Sequence, residues 1–241
     1  MPEIIINLFG GTTIGVLITL ILGRWTEYFL GNLNYEEPES NSETTLIYYI
    51  KNFSNYKFYT VLPFLIGSLN VWRQWSPEIL SDLILVTTLF GIAQIDIKSM
   101  LIEGRIIALA ALLRLIWLLY FTPHDIIFYI AGFFFGAGLL YFVGFFYQTF
   151  RNKQGLGDGD ASVLGLIGMW VGWQGLGFVV LIAALSGIFW VLISYMTSKR
   201  ENQSINSLLK IQIPFAPFLC FGGLIVYLLE ETGFFKVISM F

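Results

Sequence analysis

The chain has 241 residues, of which 56% are hydrophobic and only 12% charged, and its formal net charge is −3. Soluble domains are nearer half apolar and a quarter charged, so this composition excludes an ordinary soluble protein and predicts an all-α, polytopic membrane protein. The only cysteine, Cys220, excludes an internal disulfide and a zinc site built from paired cysteines.

A membrane-spanning helix needs about 20 mostly apolar residues, and the chain offers about eight such stretches. We expect the first to be retained rather than removed as a signal peptide, because residues 1–23 have neither a basic start nor an Ala-x-Ala site. Only the segment 172–175 separates the sixth stretch from the seventh. The predicted helices cover residues 4–23, 54–72, 78–95, 101–121, 125–148, 161–174, 175–197 and 214–230.

Polar segments interrupt these helices at two places. The first, at about 24–57, is typical of a solvated acidic loop without a core of its own, and the second, at 198–212, is a polar linker. We therefore predict an N-terminal region of helices at 1–90, which carries the acidic loop, and a membrane core at 91–241, which carries the activity.

Basic residues cluster in alternate loops, which predicts how the helices are oriented. With the N-terminus outside, the loops on the inner side hold most of the 13 lysines and arginines, as the positive-inside rule requires. Asp96 and Asp160 then lie on the same, cytoplasmic, side of the membrane.

Two acidic sites stand at helix boundaries of this weakly charged chain. Asp96 follows the third predicted helix, and Asp160 ends the segment 155–160, which reads Gly-Leu-Gly-Asp-Gly-Asp. Ionisable groups at membrane depth are costly and indicate functional sites. We expect the two side chains to meet in space, because close carboxylates cannot both ionise readily and share one proton.

Such a carboxylate pair is typical of an aspartic protease. The ionised carboxylate takes a proton from water, which attacks a peptide carbonyl, while the protonated carboxyl polarises that carbonyl. This chemistry needs neither a metal nor a cofactor, and we predict none. Gly157 and Gly159 have no Cβ and would admit an extended substrate close to the acid.

Three segments resemble the type IV prepilin peptidase family. The segment 157–160 has the Gly-x-Gly-Asp form of membrane aspartic proteases, and in this family that acid opens a helix ending in Gly-Trp, as at 172–173. The segment 96–102 resembles the one that holds the family's first catalytic aspartate. The segment 214–217, Pro-Phe-Ala-Pro, resembles a Pro-Phe-Gly-Pro segment near the family's C-terminus.

The resemblance implies that Asp96 and Asp160 are the catalytic acids. Asp158 also satisfies the Gly-x-Gly-Asp pattern, but Asp160 has the spacing to the Gly-Trp pair that the family shows. We expect Asp158 to act as a loop acid that tunes its neighbour. The residues expected to support catalysis or bind substrate are Gly157, Asp158, Gly159, Lys98, Pro214 and Phe215.

The chain departs from the family pattern at several positions. Glu103 stands where the family usually has Pro, Ser162 where it often has Lys, and Ala216 where it has Gly. The paired Cys-x-x-Cys motifs of the first cytoplasmic loop are absent, so no zinc site is expected at 24–57. Some members also methylate the new N-terminus with S-adenosylmethionine, an activity that we do not predict for this chain.

The resemblance implies a membrane aspartic endopeptidase that cleaves the short leader of prepilin-like proteins at the cytoplasmic face of the bacterial inner membrane. The partners expected are prepilin-like substrates and membrane lipid, with no nucleic acid, and no oligomeric state is predicted. Arg114, inside the fourth predicted helix, is expected to be an ion-pair partner within the bundle.

Three alternatives stay open. The enzyme could be a preflagellin peptidase or another Gly-x-Gly-Asp intramembrane protease. A proton- or cation-coupled secondary transporter also uses broken helices and buried acids, but it predicts inverted repeats, which we do not find. A lipid-phosphate transferase would use the segment 158–160 to bind a divalent metal, with Arg151 and Lys153 as the only nearby phosphate ligands.

Overall fold

The computed structural model describes four stretches of the chain and a few isolated positions. The stretches are 10–21, 76–151, 157–198 and 213–231, and the isolated positions are 7, 24, 65, 66 and 68. Every regular element in these ranges is helical, which confirms the all-α class. The predicted acidic loop, the linker and most of the second predicted helix lie outside the described residues.

The chain divides into two compact units, Met1–Ile102 and Glu103–Phe241. This division concerns packing, whereas the predicted boundary at 90/91 concerns function and stays a prediction. The first unit contains the short apolar helix α1 (Gly10–Ile21) and the longer helix α2 (Glu78–Ser99).

Helix α2 ends at a residue in the left-handed conformation. Met100 has φ 53°, and its backbone N–H donates to the carbonyl oxygen of Asp96 at 2.8 Å. The hydroxyl of Ser99 donates to the carbonyl oxygen of Ile95 at 2.9 Å. Such bonds satisfy carbonyl groups that a helix end leaves without partners. The helix therefore continues four residues beyond its predicted end, and Asp96 lies inside the last turn.

The second unit consists of four α-helices and one short 3-10 helix in the described ranges. Helix α3 (Gly104–Phe121) is followed by the 3-10 helix Pro123–Asp125, α4 (Ile126–Arg151), α5 (Asp158–Ser198) and α6 (Ala216–Glu231). The buried positions of α3 recur at helical spacing and define one inward face. They are Ile107, Ala110, Arg114, Trp117 and Leu118.

Helices α4 and α5 approach each other closely through glycines. A Cβ on Gly136 would lie 2.6 Å from the carbonyl oxygen of Leu164. One turn earlier, a Cβ on Gly132 would overlap the carbonyl oxygen of Gly168. Small residues permit such contacts between helices in membranes. The pairs run antiparallel, so Leu140 lies level with the start of α5.

Helix α5 is broken at Gly172, whose φ of 69° and ψ of 176° are not helical. This region of backbone space is essentially restricted to glycine. The break falls within the predicted separating segment 172–175, and the first half ends three residues before the predicted end at 174. The first half of α5 therefore covers 158–171 and the second half 173–198.

The two halves of α5 run in opposite directions along α6. A Cβ on Gly223 would contact Ile167 in the first half, and a Cβ on Gly222 would contact Val179 in the second. Ile167 and Val179 would be about 18 Å apart along a straight helix, yet they meet adjacent residues of α6. The second half is antiparallel to α6, since Gly187 lies near Phe218 at the start of α6.

Helix α4 projects beyond the start of α5. Leu140 is the last buried residue of α4, and every residue from 141 to 151 except Gly144 is exposed. These eleven residues extend about 16 Å past the level of Asp160. Six of the exposed side chains are aromatic: Tyr141, Phe142, Phe145, Phe146, Tyr147 and Phe150.

Four helical regions in the described ranges are long and apolar enough to cross a membrane. They are Glu78–Ser99, Gly104–Phe121, Pro123–Arg151 and Gly159–Ile193, the last of which includes the break at Gly172. The polytopic membrane class is thus supported, whereas the full count of eight helices and the outside location of the N-terminus stay predictions.

Candidate functional site

Asp160 is a buried acid in the first turn of α5. Its side chain is 7% exposed, and its backbone N–H donates to the carbonyl oxygen of Gly157 at 3.1 Å. Because the helix begins at Asp158, Asp160 is its third residue. A carboxylate in the first turn is stabilised by the positive end of the helix dipole.

Gly157 holds the Asp160 carboxylate from outside the helix. The carboxylate accepts a hydrogen bond from the backbone N–H of Gly157. A third helical residue that bonds back to the N-cap backbone is one half of a capping box. A Cβ on Gly157 would lie 3.2 Å from Asp160 Oδ2, so the glycine leaves room for the carboxylate in this position.

The two residues between Gly157 and Asp160 belong to the helix. Asp158 and Gly159 are the first and second residues of α5. Sequence reasoning placed the helix start at 161, so both were expected in a loop, and that expectation was wrong. The side chain of Asp158 lies outside the described part of the structure, so its predicted role in tuning Asp160 stays a prediction.

Pro214 and Phe215 lie at the same end of the second unit as Asp160. The first half of α5 is parallel to α6, and the contact of Ile167 with Gly223 sets the register, so Asp160 lies level with Ala216. Pro214 is buried and Phe215 is partly buried. The carbonyl oxygen of Phe215 accepts the N–H groups of Phe218 and Leu219 at 3.1 and 3.2 Å, which starts α6.

Asp96 and Lys98 lie in the last turn of α2, in the first unit. Asp96 is 5% exposed, whereas Lys98 is partly exposed. Burial of an ionisable group at membrane depth is costly, and the catalytic role of Asp96 stays a prediction. Asp96 and Asp160 belong to different compact units, so the meeting of their side chains stays a prediction.

Glu103 occupies the position where the prepilin peptidases usually have proline. It is the N-cap of α3, with φ −80° and ψ 107°. Proline favours a similar φ of about −65°, so this departure from the family pattern leaves the backbone in a conformation close to one that proline would take. The Glu103 carboxylate pairs with Arg105 at 3.5 Å.

Sequence reasoning missed a buried acid on α2. Asp82 is only 1% exposed and precedes Asp96 by almost four helical turns, so both acids project from nearly the same side of the helix. An acid within a predicted membrane span was a sufficient signal, because such residues are rare at membrane depth.

In the described ranges, no group of three or more His, Cys, Asp or Glu side chains is placed to hold a metal ion. The chemistry available at Asp160 is that of a buried carboxylate fixed by a backbone N–H and the start of a helix. Such a group can accept and return a proton when a second acid lies within reach.

Comparison with known proteins relates the chain to one family of membrane peptidases. Residues 83–192, which include Asp96 and Asp160, match the sequence model of the type IV leader peptidase family. This match confirms the resemblance to the family that the motifs indicated. The four long apolar helices and the bacterial relatives described next identify the chain as a bacterial membrane protein.

Several relatives carry the name prepilin leader peptidase/N-methyltransferase, and three of them show the extent of the match. The relative from Pectobacterium carotovorum is 30% identical over 174 residues, which is 68% of this chain and 56% of the relative. The one from Escherichia coli K12 is 34% identical over 90 residues, 37% of this chain and 36% of the relative. The one from Aeromonas hydrophila is 28% identical over 164 residues, which is 64% of this chain and 50% of the relative.

The chain thus aligns with about a third to just over half the length of these curated relatives. No solved structure matches the chain.

Proposed function

We propose that this protein is a membrane aspartic endopeptidase that removes the short leader of prepilin-like proteins. The observation that carries the proposal is the position of Asp160, a buried acid in the first turn of α5 whose carboxylate accepts the N–H of Gly157. It lies in a region that matches the sequence model of the type IV leader peptidase family. The names of the relatives supply the substrate class.

In the proposed mechanism, Asp96 and Asp160 share one proton. One carboxylate takes a proton from water, and the resulting nucleophile attacks the scissile carbonyl while the other carboxyl group donates a hydrogen bond to it. The leaving amine then receives a proton from the pair. No covalent intermediate forms, and the proposal covers the peptidase reaction alone, without N-methylation.

The substrate would bind in extended form beside the start of α5. A helical segment hides its carbonyl groups in backbone hydrogen bonds, so the junction between leader and apolar helix must unwind before water can attack. Gly157 and Gly159 would let the substrate backbone approach Asp160. Pro214 and Phe215, at the same end of the unit, would line the opposite side, and Lys98 would support Asp96.

The proposed location is the bacterial inner membrane, with about eight spanning helices and the N-terminus outside. This orientation follows from the basic residues of the predicted inner loops. It places both acids at the cytoplasmic face, where the basic leader of a prepilin-like substrate would arrive.

The test uses the full chain reconstituted with a prepilin-like substrate that carries a short basic leader and an apolar helix. Asp96→Asn and Asp160→Asn should each lower leader cleavage by about a hundredfold or more, the usual contribution of acid-base catalysis. Asp125→Asn, which changes an exposed acid of the 3-10 helix, should leave cleavage unchanged.

Full cleavage by either site variant would remove that acid from the mechanism. Loss of activity with a chelator would favour a metal-dependent enzyme. Uptake of a solute coupled to protons or cations, without leader cleavage, would favour the secondary-transporter alternative.

A further inference from the structure

Arg114 is a buried cation in the middle of an apolar helix. Its side chain is 5% exposed, and three aromatic rings from α3, α4 and α5 surround the guanidinium. Its Cζ lies 4.7 Å from the ring centre of Trp117 and 5.0 Å from those of Tyr129 and Trp170. Aromatic faces attract cations most strongly away from water, so this cluster offsets part of the cost of burying the charge.

The guanidinium also bonds to the backbone of α5. Arg114 Nε donates to the carbonyl oxygen of Met169 at 3.2 Å. Met169 lies among the last four residues before the break at Gly172, the part of a helix whose carbonyl groups run out of intrahelical partners. A cation at this end also opposes the negative pole of the helix dipole.

The contacts of the guanidinium therefore reach three helices: Trp117 belongs to α3, Tyr129 to α4, and Met169 and Trp170 to α5. Arg114 thus links α3, α4 and α5 at the end of the first half of α5 that is remote from Asp160. Met169 and Asp160 are about 14 Å apart along this half-helix.

We propose that Arg114 is a positioning residue, which closes the C-terminal end of the half-helix 158–171 and thereby fixes the location of Asp160 at its other end. A half-helix of this length moves as a rigid rod, so fraying or rotation at Met169 is transmitted to the first turn. The catalytic part of this inference depends on the proposed peptidase function, whereas the capping of the half-helix does not.

The test compares Arg114→Met, Arg114→Lys and the control Arg105→Met in the full reconstituted chain. Arg105 lies on the same helix with its side chain 96% exposed. Arg114→Met should lower kcat for leader cleavage about tenfold to a hundredfold while KM changes little, because a small displacement of a catalytic group has this effect. Arg114→Lys keeps the charge without the planar fork and should recover part of the loss.

Amide hydrogen exchange measured on the same proteins gives a second readout that is independent of activity. Arg114→Met should accelerate exchange in peptides from the end of the first half of α5, and exchange in α6 should remain at the level of the unchanged protein. Arg105→Met should alter neither region.

Unchanged exchange and unchanged kcat in Arg114→Met would overturn the proposal. Accelerated exchange throughout the second unit would also overturn it, since Arg114 would then serve general stability. Local acceleration in a chain that cleaves no leader would refute the peptidase function and leave the Arg114 cap standing.

Discussion

The backbone of Gly132 in α4 lies directly against the backbone of Gly168 in the first half of α5. A Cβ on either glycine would overlap the carbonyl oxygen of the other. Backbone atoms cannot move aside as a flexible side chain can, so the absence of side chains at these two positions sets the distance between the helices.

We expect Gly132→Ala to destabilise the protein by about 1–3 kcal/mol, the usual effect of inserting a methyl group into a packed contact. The measurement is thermal unfolding in detergent. Gly138→Ala is the matched control, because a Cβ there would meet nothing within 4 Å. Equal melting temperatures for the two variants would show that the close contact does not limit stability.

Gly157→Ala should impair catalysis without unfolding the protein. The added Cβ would lie 3.2 Å from Asp160 Oδ2, so the carboxylate must shift by a few tenths of an ångström. We expect kcat/KM for leader cleavage to fall about tenfold to a hundredfold. Gly177→Ala, in the second half of α5 with open space around its Cβ, should cleave normally, and full activity in Gly157→Ala would refute the steric argument.

Asp82→Asn tests whether burial alone makes an acid on α2 essential for cleavage. Asp82 and Asp96 are both almost fully buried, and asparagine has nearly the shape of aspartate. We expect Asp82→Asn to retain leader cleavage under conditions in which Asp96→Asn abolishes it. Circular dichroism should show that both variants are folded. If the two substitutions abolish cleavage equally, the assignment of Asp96 rather than Asp82 as the catalytic acid of α2 is contradicted.

Gly172→Ala should strain the reversal within α5. The left-handed φ of 69° costs a residue with a side chain about 1–3 kcal/mol, and the new Cβ would also overlap the ring of Phe128. The melting temperature should fall, and the double variant with Phe128→Ala should not recover it fully, since the backbone strain persists. Complete recovery would assign the whole effect to the aromatic ring.

Local sequence signals predicted much of the second unit. The run of apolar residues gave α4 as 125–148 against the observed Ile126–Arg151, and the glycines at 172 and 175 predicted the break in α5. These features depend on hydrophobicity and on glycine, which act within a few residues. The end of α2 was missed because the apolar run stops before Asp96, whereas the helix continues to Ser99 and ends at Met100 in the left-handed conformation.

Features that depend on several helices at once could not be predicted. Arg114 was expected to form an ion pair within the bundle, and the structure adds three aromatic rings and the Met169 carbonyl around it. The rings come from positions far apart in sequence, so no local sequence pattern predicts that they surround Arg114. The convergence of Asp96 and Asp160 is also a long-range relationship, and it stays a prediction.

The projection of α4 past Asp160 makes lipid thickness a variable of the proposed reaction. Asp160 lies about 16 Å short of the tip of α4, so a bilayer matched to the whole helix would submerge the acid, whereas a thinner one would bring it nearer to bulk water. Membranes adapt to a helix of fixed length at only a modest energetic cost. Turnover in vesicles should consequently rise as acyl chains are shortened.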